Sequence, residues 1–227
     1  MEIFSYKHED PAWARVASYP RILRYFLAEK QLTIPIRHVD LLAHENLRPE
    51  MLAFNPARTV PCAKLDDGRV VTGTLPLIEY IEECHADPPL IGTTPEQRAV
   101  VRSWMRLADE KVVSRGIRIY KLLASSYEGI ESQDPAVARW QFEEVRAALA
   151  WFDTLLADRM FLVDDRFSAA DVVLIGGVDQ VQTLVFTLLA RGHENTDAFR
   201  LDVANTWRHL AAWAARVYAR PAYRPEL

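Results

Sequence analysis

Cysteine is scarce in this chain of 227 residues, which contains only Cys62 and Cys84. Two cysteines cannot form a disulfide framework, so the sequence predicts a reducing compartment, and we expect a cytoplasmic protein. The chain also lacks CxxC, HExxH, P-loop and GxGxxG patterns. These absences leave no sequence motif for a metal ion or a nucleotide, and no metal cofactor is expected.

Long apolar runs and excess charge are missing as well. No stretch of about 18 apolar residues occurs, so no transmembrane helix is expected. The first ten residues have no basic region followed by an apolar core, which argues against a signal peptide. The formal net charge of -4 gives no electrostatic basis for binding nucleic acid. Half of the residues are hydrophobic, which is ample for the core of one or two globular domains.

Short β-prone segments alternate with helical segments in the first third of the chain. This alternation predicts a β-α-β-α-β-β-α unit with helices packed on a mixed four-stranded sheet. In the first predicted helix, apolar residues recur at helical spacing, and the charged residues between them are expected on the outer face. The segments are a strand at Glu2–Tyr6, a helix from near Pro20, a strand at 34–40, a short helix at 48–54, two strands, and a helix at 74–85. The outward-facing charged residues are Arg21, Arg24, Glu29 and Lys30.

The segment from Asn55 to Thr74 is the stretch around which this unit is organised. Pro61 cannot donate to a sheet ladder, so it is expected at the start of a strand. Asp67-Gly68 between two β-prone runs predicts a hairpin. Thr74 is expected as the N-cap of the next helix, where unpaired amides and the helix dipole create an anion site.

Prolines and Gly92 interrupt both periodicities in the next segment, which predicts a linker at residues 87–94. It separates a domain at 1–86 from an all-helical bundle at 95–227. The predicted helices of the bundle are 95–127, 134–158, 168–190 and 200–219. Ser168-x-x-Asp171 before an apolar run predicts a capping box, in which each side chain satisfies a backbone donor.

Several of these segments resemble cytosolic glutathione S-transferases. The resemblance covers nearly the whole chain, and the segments occur in the family's order and spacing. It implies a thioredoxin-like N-terminal domain followed by the helical domain. The matching segments are Tyr19–Lys30, NPARTVP at 55–61 with LPLIEYIEE at 75–83, Pro89–Arg98, Asp165–Leu174 and Ala219–Ala222.

The resemblance implies a glutathione site. In this family the proline after valine is cis and the backbone before it binds the cysteinyl part of glutathione, which here assigns Val60 and Pro61. The γ-glutamyl end is held by an acidic residue and a serine, and the matching pair here is Gly73 and Thr74. Thr74 keeps the hydroxyl group, but Gly73 removes the carboxylate that would bind the substrate's ammonium group.

The glycyl end of glutathione meets basic or polar residues in the family. The matching positions are Asn46, where histidine is common, and Thr59, where lysine or arginine is common. Both departures weaken this part of the implied site. Arg48 and Arg58 lie close by in sequence, and the guanidinium group of either residue could bind a carboxylate through two hydrogen bonds, as a bidentate partner.

The residue that stabilises the thiolate is expected after the first strand, at Tyr6, Ser18 or Tyr19. The start of the helix favours Ser18 and Tyr19, because its amides and dipole also stabilise a thiolate. Residues 7–13 make the preceding loop about half a dozen residues longer than usual for the family. Cys62 is expected to be a small buried residue rather than a reactive thiol, since nothing nearby activates it.

The resemblance implies a homodimer that transfers the glutathione thiolate to a small hydrophobic electrophile, a role in detoxification. Tyr120 and Arg115 are candidate residues of the acceptor pocket. The departures at Gly73, Thr59 and Asn46 keep two alternatives open. One is a binding or regulatory protein with weak or no use of glutathione. The other is a specialised glutathione-dependent lyase, reductase or isomerase.

Overall fold

The computed structural model describes residues 1–6, 18–41, 43–124, 127–130, 132–190 and 196–223, apart from the side chains of 185–187, 189, 190 and 197. The chain forms two compact units. The first contains Met1–Leu90 together with the described C-terminal residues Ala222 and Tyr223, and the second contains Ile91–Pro221.

The first unit is built on a mixed four-stranded sheet, as the sequence predicts. The strands have the order β2-β1-β3-β4. Strand β1 is parallel to β2 and antiparallel to β3, and β3 is antiparallel to β4. The strands are β1 (Glu2–Tyr6), β2 (Ile36–Val39), β3 (Cys62–Lys64) and β4 (Val70–Thr72).

Three helices accompany this sheet: α1 (Ser18–Glu29), α2 (Pro49–Phe54) and α3 (Thr74–Cys84). Helix α1 begins two residues before Pro20, which therefore lies in the first turn, where its missing N–H costs nothing. Helices α1 and α3 pack against each other. A separate core contains Phe4, Val39, Met51 and Cys62.

The prediction that the charged residues of the first helix lie outside is wrong for Lys30. This residue follows α1, its side chain is 0% exposed, and its ammonium lies 2.7 Å from a carboxylate oxygen of Glu82 in α3. The same ammonium donates to the carbonyl of Pro88 at 2.6 Å. Arg21 and Glu29 are also buried, so the prediction is wrong for them as well, and the Arg21 guanidinium donates to the hydroxyl of Tyr223. The Glu82 carboxylate, 52 residues later, compensates the charge of Lys30, and a helical pattern cannot reveal a partner so far away.

The second unit is helical. Its elements are α4 (Pro95–Ala108), a π-helical segment (Asp109–Val113), α5 (Ser114–Leu123), α6 (Pro135–Leu155), α7 (Ala169–Ala190), α8 (Val203–Thr206) and α9 (Arg208–Tyr218). Two expected continuous helices, 95–127 and 200–219, are therefore each divided. Among the described helices, none is long and apolar enough to cross a membrane.

Helix α7 comes very close to the π segment at Gly177. A Cβ atom there would lie 2.9 Å from Cγ2 of Val113. Glycine is therefore required by packing at this point, because real Cβ atoms do not approach neighbours so closely.

Asp171 secures the start of α7, but only part of the expected capping box forms. Its carboxylate accepts from the Ser168 amide at 3.0 Å and from the Ser168 hydroxyl at 3.1 Å. The serine hydroxyl thus binds the carboxylate rather than a backbone donor. Asp171 also accepts from the Leu162 amide at 3.1 Å and the Trp213 indole N–H at 2.8 Å, which ties three parts of the unit together.

The buried ion pair predicts a large effect of Lys30→Met. The substitution leaves the Glu82 carboxylate buried without its cation, and we expect the free energy of unfolding to fall by about 3 kcal/mol. The double variant Lys30→Met/Glu82→Leu should recover most of this loss, because it removes the uncompensated charge. Urea denaturation of the whole chain measures both effects.

Arg37→Met is the matched control, since the side chain of Arg37 is 56% exposed and lies 3.7 Å from a partly exposed carboxylate, that of Glu45. It should cost less than about 1 kcal/mol. A Lys30→Met loss as small as this control would contradict a stabilising role for the buried pair.

Burial raises the pKa of Asp171 to about 6, although hydrogen bonds from Trp213, Leu162 and Ser168 act in the opposite direction. Between the ordinary value of 3.8 and about 6, the folded protein therefore binds this proton more tightly than the unfolded chain. The stability from this proton is present at low pH and is lost as the pH rises through about 6. Asp171→Asn should consequently destabilise more at about pH 5 than at about pH 7, by about 1 kcal/mol.

Asp202→Asn provides the comparison for this pH effect. Asp202 caps α8, and a hydrogen bond from Asn205 lowers its pKa. Its carboxyl group is ionised at both pH values, so the cost of Asp202→Asn should not change between them. The assignment for Asp171 fails if thermal or urea unfolding gives Asp171→Asn the same cost at both pH values.

Candidate functional site

The β3–β4 register brings Pro61 next to the start of α3. Cys62 pairs with Thr72, and one step further along the chain the Gly73 amide donates to the Pro61 carbonyl at 3.2 Å. The peptide bond between Val60 and Pro61 is cis. The two sequence-predicted pairs, Val60-Pro61 and Gly73-Thr74, therefore lie side by side.

Val60 offers an unused backbone edge at this point. The ladder between β1 and β3 ends at Phe4 and Cys62, so it does not extend to Val60. Among the described residues, neither the Val60 amide nor its carbonyl has a hydrogen-bonding partner. Its side chain packs on the core around Phe4 and Cys62, which holds the backbone in place. An extended peptide could pair with this edge as a short added strand.

Thr74 does not cap α3, contrary to the expectation from sequence. Gly73 is the N-cap, and Thr74 is the first residue of the helix. The Thr74 side chain is buried, and its hydroxyl donates to the Tyr19 carbonyl at 3.4 Å. This contact joins the first turns of α1 and α3.

The start of α3 is suited to an anion. The amides of Thr74 and Leu75 cannot make bonds within the helix, and the described part of the chain gives them no other acceptor. Gly73 has no side chain that could occupy this place. The two amides and the helix dipole therefore favour a bound carboxylate.

Ser18 and Tyr19 are the first two residues of α1. Ser18 is buried, whereas Tyr19 is partly exposed and lies next to Thr74 through its carbonyl. Tyr6 is the last residue of β1. The loop at 7–17, including the segment expected to be unusually long, lies outside the described residues. The choice among Tyr6, Ser18 and Tyr19 as the thiolate-stabilising residue therefore stays a prediction.

Asn46 and Thr59 both form hydrogen bonds within the loop that leads to Val60. The Asn46 side-chain amide donates to the Arg58 carbonyl at 2.9 Å, and the Thr59 carbonyl accepts from Asn55 at 2.8 Å. Arg58 has a φ of 59°, so its backbone lies in the left-handed region. Arg48 and Arg58 are both exposed, and neither has an acidic partner within the described ranges. The two guanidinium groups are therefore available for an anion.

Asn55 is an organising residue that the sequence analysis does not single out. It is 1% exposed, and its side-chain amide also approaches the Cys62 sulfur at 3.3 Å. It thereby fixes the turn that leads into Val60. The Asn55-Pro56 pair is the sequence signal for this role, because asparagine side chains commonly form hydrogen bonds with nearby backbone groups in turns. Cys62 is buried, as the sequence predicts, and this burial raises the pKa of its thiol to about 11.

Arg115 and Tyr120 both lie on α5 but make different contacts. Arg115 donates to the Gln141 side chain at 2.8 Å and lies 3.5 Å from a Glu144 oxygen. Tyr120 meets Tyr127 edge to face, with ring centroids 5.9 Å apart. Residues five apart on an α-helix are rotated by about 140°, so the two side chains leave different faces. Their predicted role at the acceptor remains untested by these contacts.

The part of the chain that the structure describes contains no cluster of three or more His, Cys, Asp or Glu side chains that could hold a metal ion. The site therefore consists of backbone donors and acceptors, hydroxyl groups and two exposed arginines.

Comparison with known proteins agrees with this arrangement. The glutathione S-transferase N-terminal domain matches residues 17–84, and the C-terminal domain of the same family matches residues 118–221. The chain belongs to the glutathione S-transferase family. Its resemblance to cytosolic members, expected from the sequence motifs, is confirmed.

Individual relatives match two thirds or more of the chain. Glutathione S-transferase 2 of Saccharomyces cerevisiae is 28% identical over 211 residues, which are 91% of this chain and 84% of the relative. Maleylacetoacetate isomerase of Pseudomonas aeruginosa is 30% identical over 159 residues, which are 67% of this chain and 72% of the relative. The crystal structure of Gtt2 from Saccharomyces cerevisiae superposes with a TM-score of 0.76 at 26% identity, and covers 100% of both chains.

The backbone at Gly73 in this family member predicts a specific cost of substitution. Its φ of 89° and ψ of 146° lie in a region that is almost restricted to glycine. A Cβ atom would meet only Pro76, at an ordinary 3.5 Å, so the cost is conformational rather than steric. Gly73→Ala should lower the free energy of unfolding by about 1–3 kcal/mol in urea denaturation.

Gly68→Ala is the matched control. Its φ is +86° and a Cβ atom there would meet nothing within 4 Å, so it should also destabilise by about 1–2 kcal/mol. A neutral Gly73→Ala variant would show that the backbone at residue 73 adapts to a side chain.

Proposed function

We propose that this protein binds glutathione and transfers its thiolate to a small hydrophobic electrophile. The observation that carries the proposal is the unpaired backbone edge of Val60 beside the open first turn of α3. This pair suits a short peptide that has a carboxylate at one end. The family relationship independently favours the same ligand.

Each part of glutathione has a proposed partner. The cysteinyl amide and carbonyl pair with the backbone of Val60, and Pro61 supports that geometry. The γ-glutamyl carboxylate binds at the α3 amides and at the hydroxyl of Thr74, which turns its one proton from the Tyr19 carbonyl to this carboxylate. The glycyl carboxylate lies towards Arg48 and Arg58, with Asn46 and Thr59 shaping the loop between them. Gly73 gives the ammonium group of glutathione no carboxylate, so affinity should be lower than with an acidic residue there.

The proposed reaction uses the thiolate as the nucleophile. Glutathione loses its thiol proton to solvent, and the thiolate is stabilised by Ser18 or Tyr19 together with the first turn of α1. The sulfur electron pair then forms a C–S bond to the electrophile, whose leaving group departs with its bonding electrons. The protein contributes orientation and thiolate stabilisation without a covalent enzyme intermediate. Tyr120 and Arg115 are proposed to contact the acceptor.

A glutathione-dependent isomerase is the second candidate, because a relative at 30% identity is named maleylacetoacetate isomerase. In such a reaction the thiolate would add to the substrate and leave again, so glutathione would not be consumed. A binding or regulatory role with weak use of glutathione is the third, favoured by Gly73 and Thr59. We further propose a cytoplasmic homodimer with a detoxifying role, on the basis of family membership.

Isothermal titration calorimetry of the whole chain with glutathione tests the shared premise. We expect saturable binding below millimolar concentration. An aryl halide is then offered as the electrophile, and thiol consumption is measured. Consumption supports the transferase, whereas binding without consumption favours one of the other two candidates. If titration with millimolar glutathione gives no heat of binding, the proposal is wrong.

Thr74→Val tests the contact at the γ-glutamyl end. Valine keeps the shape of threonine but removes the hydroxyl, and a hydrogen bond to a charged group contributes about 1.5 kcal/mol or more. We expect glutathione to bind about tenfold more weakly. Thr72→Val, on the exposed part of β4, is the matched control and should leave the dissociation constant unchanged. Equal affinities for both variants would remove Thr74 from the proposed site.

A further inference from the structure

The last described residues of the chain pack on α1. Ala222 and Tyr223 follow α9 in sequence but belong to the first unit. The Arg21 guanidinium donates a hydrogen bond to the Tyr223 hydroxyl and lies 5.4 Å from the centroid of the Tyr223 ring. Tyr223 also meets Tyr25 edge to face, with ring centroids 5.3 Å apart and an interplanar angle of 87°. One aromatic side chain thus contacts two residues of the same helix.

The contacts of Tyr223 hold one face of α1. Arg21 and Tyr25 are four residues apart, so their side chains leave the helix on the same side. Both residues are only 3% exposed. A guanidinium group that is removed from water needs hydrogen-bond acceptors, and Tyr223 supplies one from 202 residues later in the chain. Tyr223 therefore compensates a buried charge and packs on a buried ring at the same time.

The surroundings of Arg21 carry a second positive charge. Arg24 follows one turn later on α1, and burial together with the charge of Arg21 lowers the pKa of Arg24 to about 10. Two guanidinium groups thus repel each other in a partly buried place. Without the Tyr223 hydroxyl, Arg21 would be drawn towards water, and this end of α1 would have to move for the guanidinium to reach it.

This end of α1 enters the candidate site. Ser18 and Tyr19 are the first two residues of the helix, and Arg21 is the fourth. The Tyr19 carbonyl accepts from the Thr74 hydroxyl. In the proposed complex that hydroxyl turns to the γ-glutamyl carboxylate, so the first turn of α1 loses this contact when glutathione binds. The contacts of Tyr223 use no group of the proposed glutathione site, so they remain.

We propose that Tyr223 is a positioning residue, which holds the first turn of α1 in place for the glutathione thiolate. It acts through Arg21 and Tyr25 and does not touch the reacting atoms. This inference rests on the proposed use of glutathione. The amides and dipole of the first turn stabilise a thiolate only while they point at it. A first turn that opens more often therefore leaves the thiolate less stable.

Hydrogen exchange of the whole chain without ligand tests the effect on α1. In an α-helix the amides of Ile22 and Leu23 bond to carbonyls four residues earlier, so their exchange reports opening of the first turn. Tyr223→Ala should accelerate exchange at both amides by about fivefold to tenfold, because a buried cation loses an acceptor. Tyr223→Phe keeps the ring contacts and loses only the hydroxyl, so its acceleration should be smaller.

Tyr218→Phe is the matched control for Tyr223→Phe. It removes another tyrosine hydroxyl, which donates to Asp179 at 2.7 Å in the second unit. It should leave exchange in the first turn of α1 unchanged. Unchanged exchange in Tyr223→Ala would overturn the proposal. An equal acceleration in α6 of the second unit would overturn it as well, because the effect would then be a general loss of stability.

The second readout is the pKa of the thiol of bound glutathione, measured from the ultraviolet absorbance of the thiolate as the pH is raised. Tyr223→Ala should raise this pKa by about half a unit, which is about threefold less thiolate near pH 7, and Tyr223→Phe should raise it by less. Faster exchange with an unchanged thiol pKa would overturn the positioning role, since Tyr223 would then only stabilise the fold. If calorimetry of the unaltered chain detects no glutathione binding, the proposed function itself fails, and the exchange experiment still decides whether Tyr223 holds α1.

Discussion

The hydrogen bond from the Gly73 amide to the Pro61 carbonyl is the contact on which the candidate site depends. It continues the β3–β4 ladder one step beyond Thr72 and delivers the chain into α3 next to Val60. Thr74, one residue later, then reaches the Tyr19 carbonyl and brings the start of α1 to the same place. One main-chain hydrogen bond and one hydroxyl group thus bring the backbone edge of Val60 and the first turns of α1 and α3 together without a charged side chain.

Local chemistry is the part of this fold that sequence could predict. Asp67-Gly68 specifies a hairpin because glycine supplies a positive φ, and Gly68 has a φ of +86° in that turn. Asp171 likewise marks the start of α7 in the sequence, because its carboxylate accepts a hydrogen bond from the Ser168 amide only three residues earlier. The ordering of these local signals along the chain was sufficient to indicate the two kinds of domain and the family.

Local sequence patterns do not predict contacts between segments that are distant in the chain. Lys30 has the pattern of an outward-facing helix residue, and only Glu82, 52 residues later, makes its burial tolerable. The hydroxyl of Thr74 was expected to bond within its own helix, but it binds a carbonyl 55 residues earlier. The π segment at Asp109–Val113 packs closely against α7 at Gly177, and local propensity does not encode this contact. Of these contacts, the one made by Thr74 shapes the candidate site.

Position 73 lacks an acidic side chain, and the backbone conformation at this residue also disfavours one. Its φ of 89° and ψ of 146° favour glycine alone, so a glutamate introduced there would either strain the turn or shift it. A shift would disturb the Pro61 contact and with it the edge at Val60. Gly73→Glu therefore cannot serve as a simple restoration of a carboxylate, because any gain in charge is opposed by a conformational cost. In the proposed complex, recognition at this end therefore rests on Thr74 and the open amides of α3, which suit the carboxylate of a ligand rather than its ammonium group.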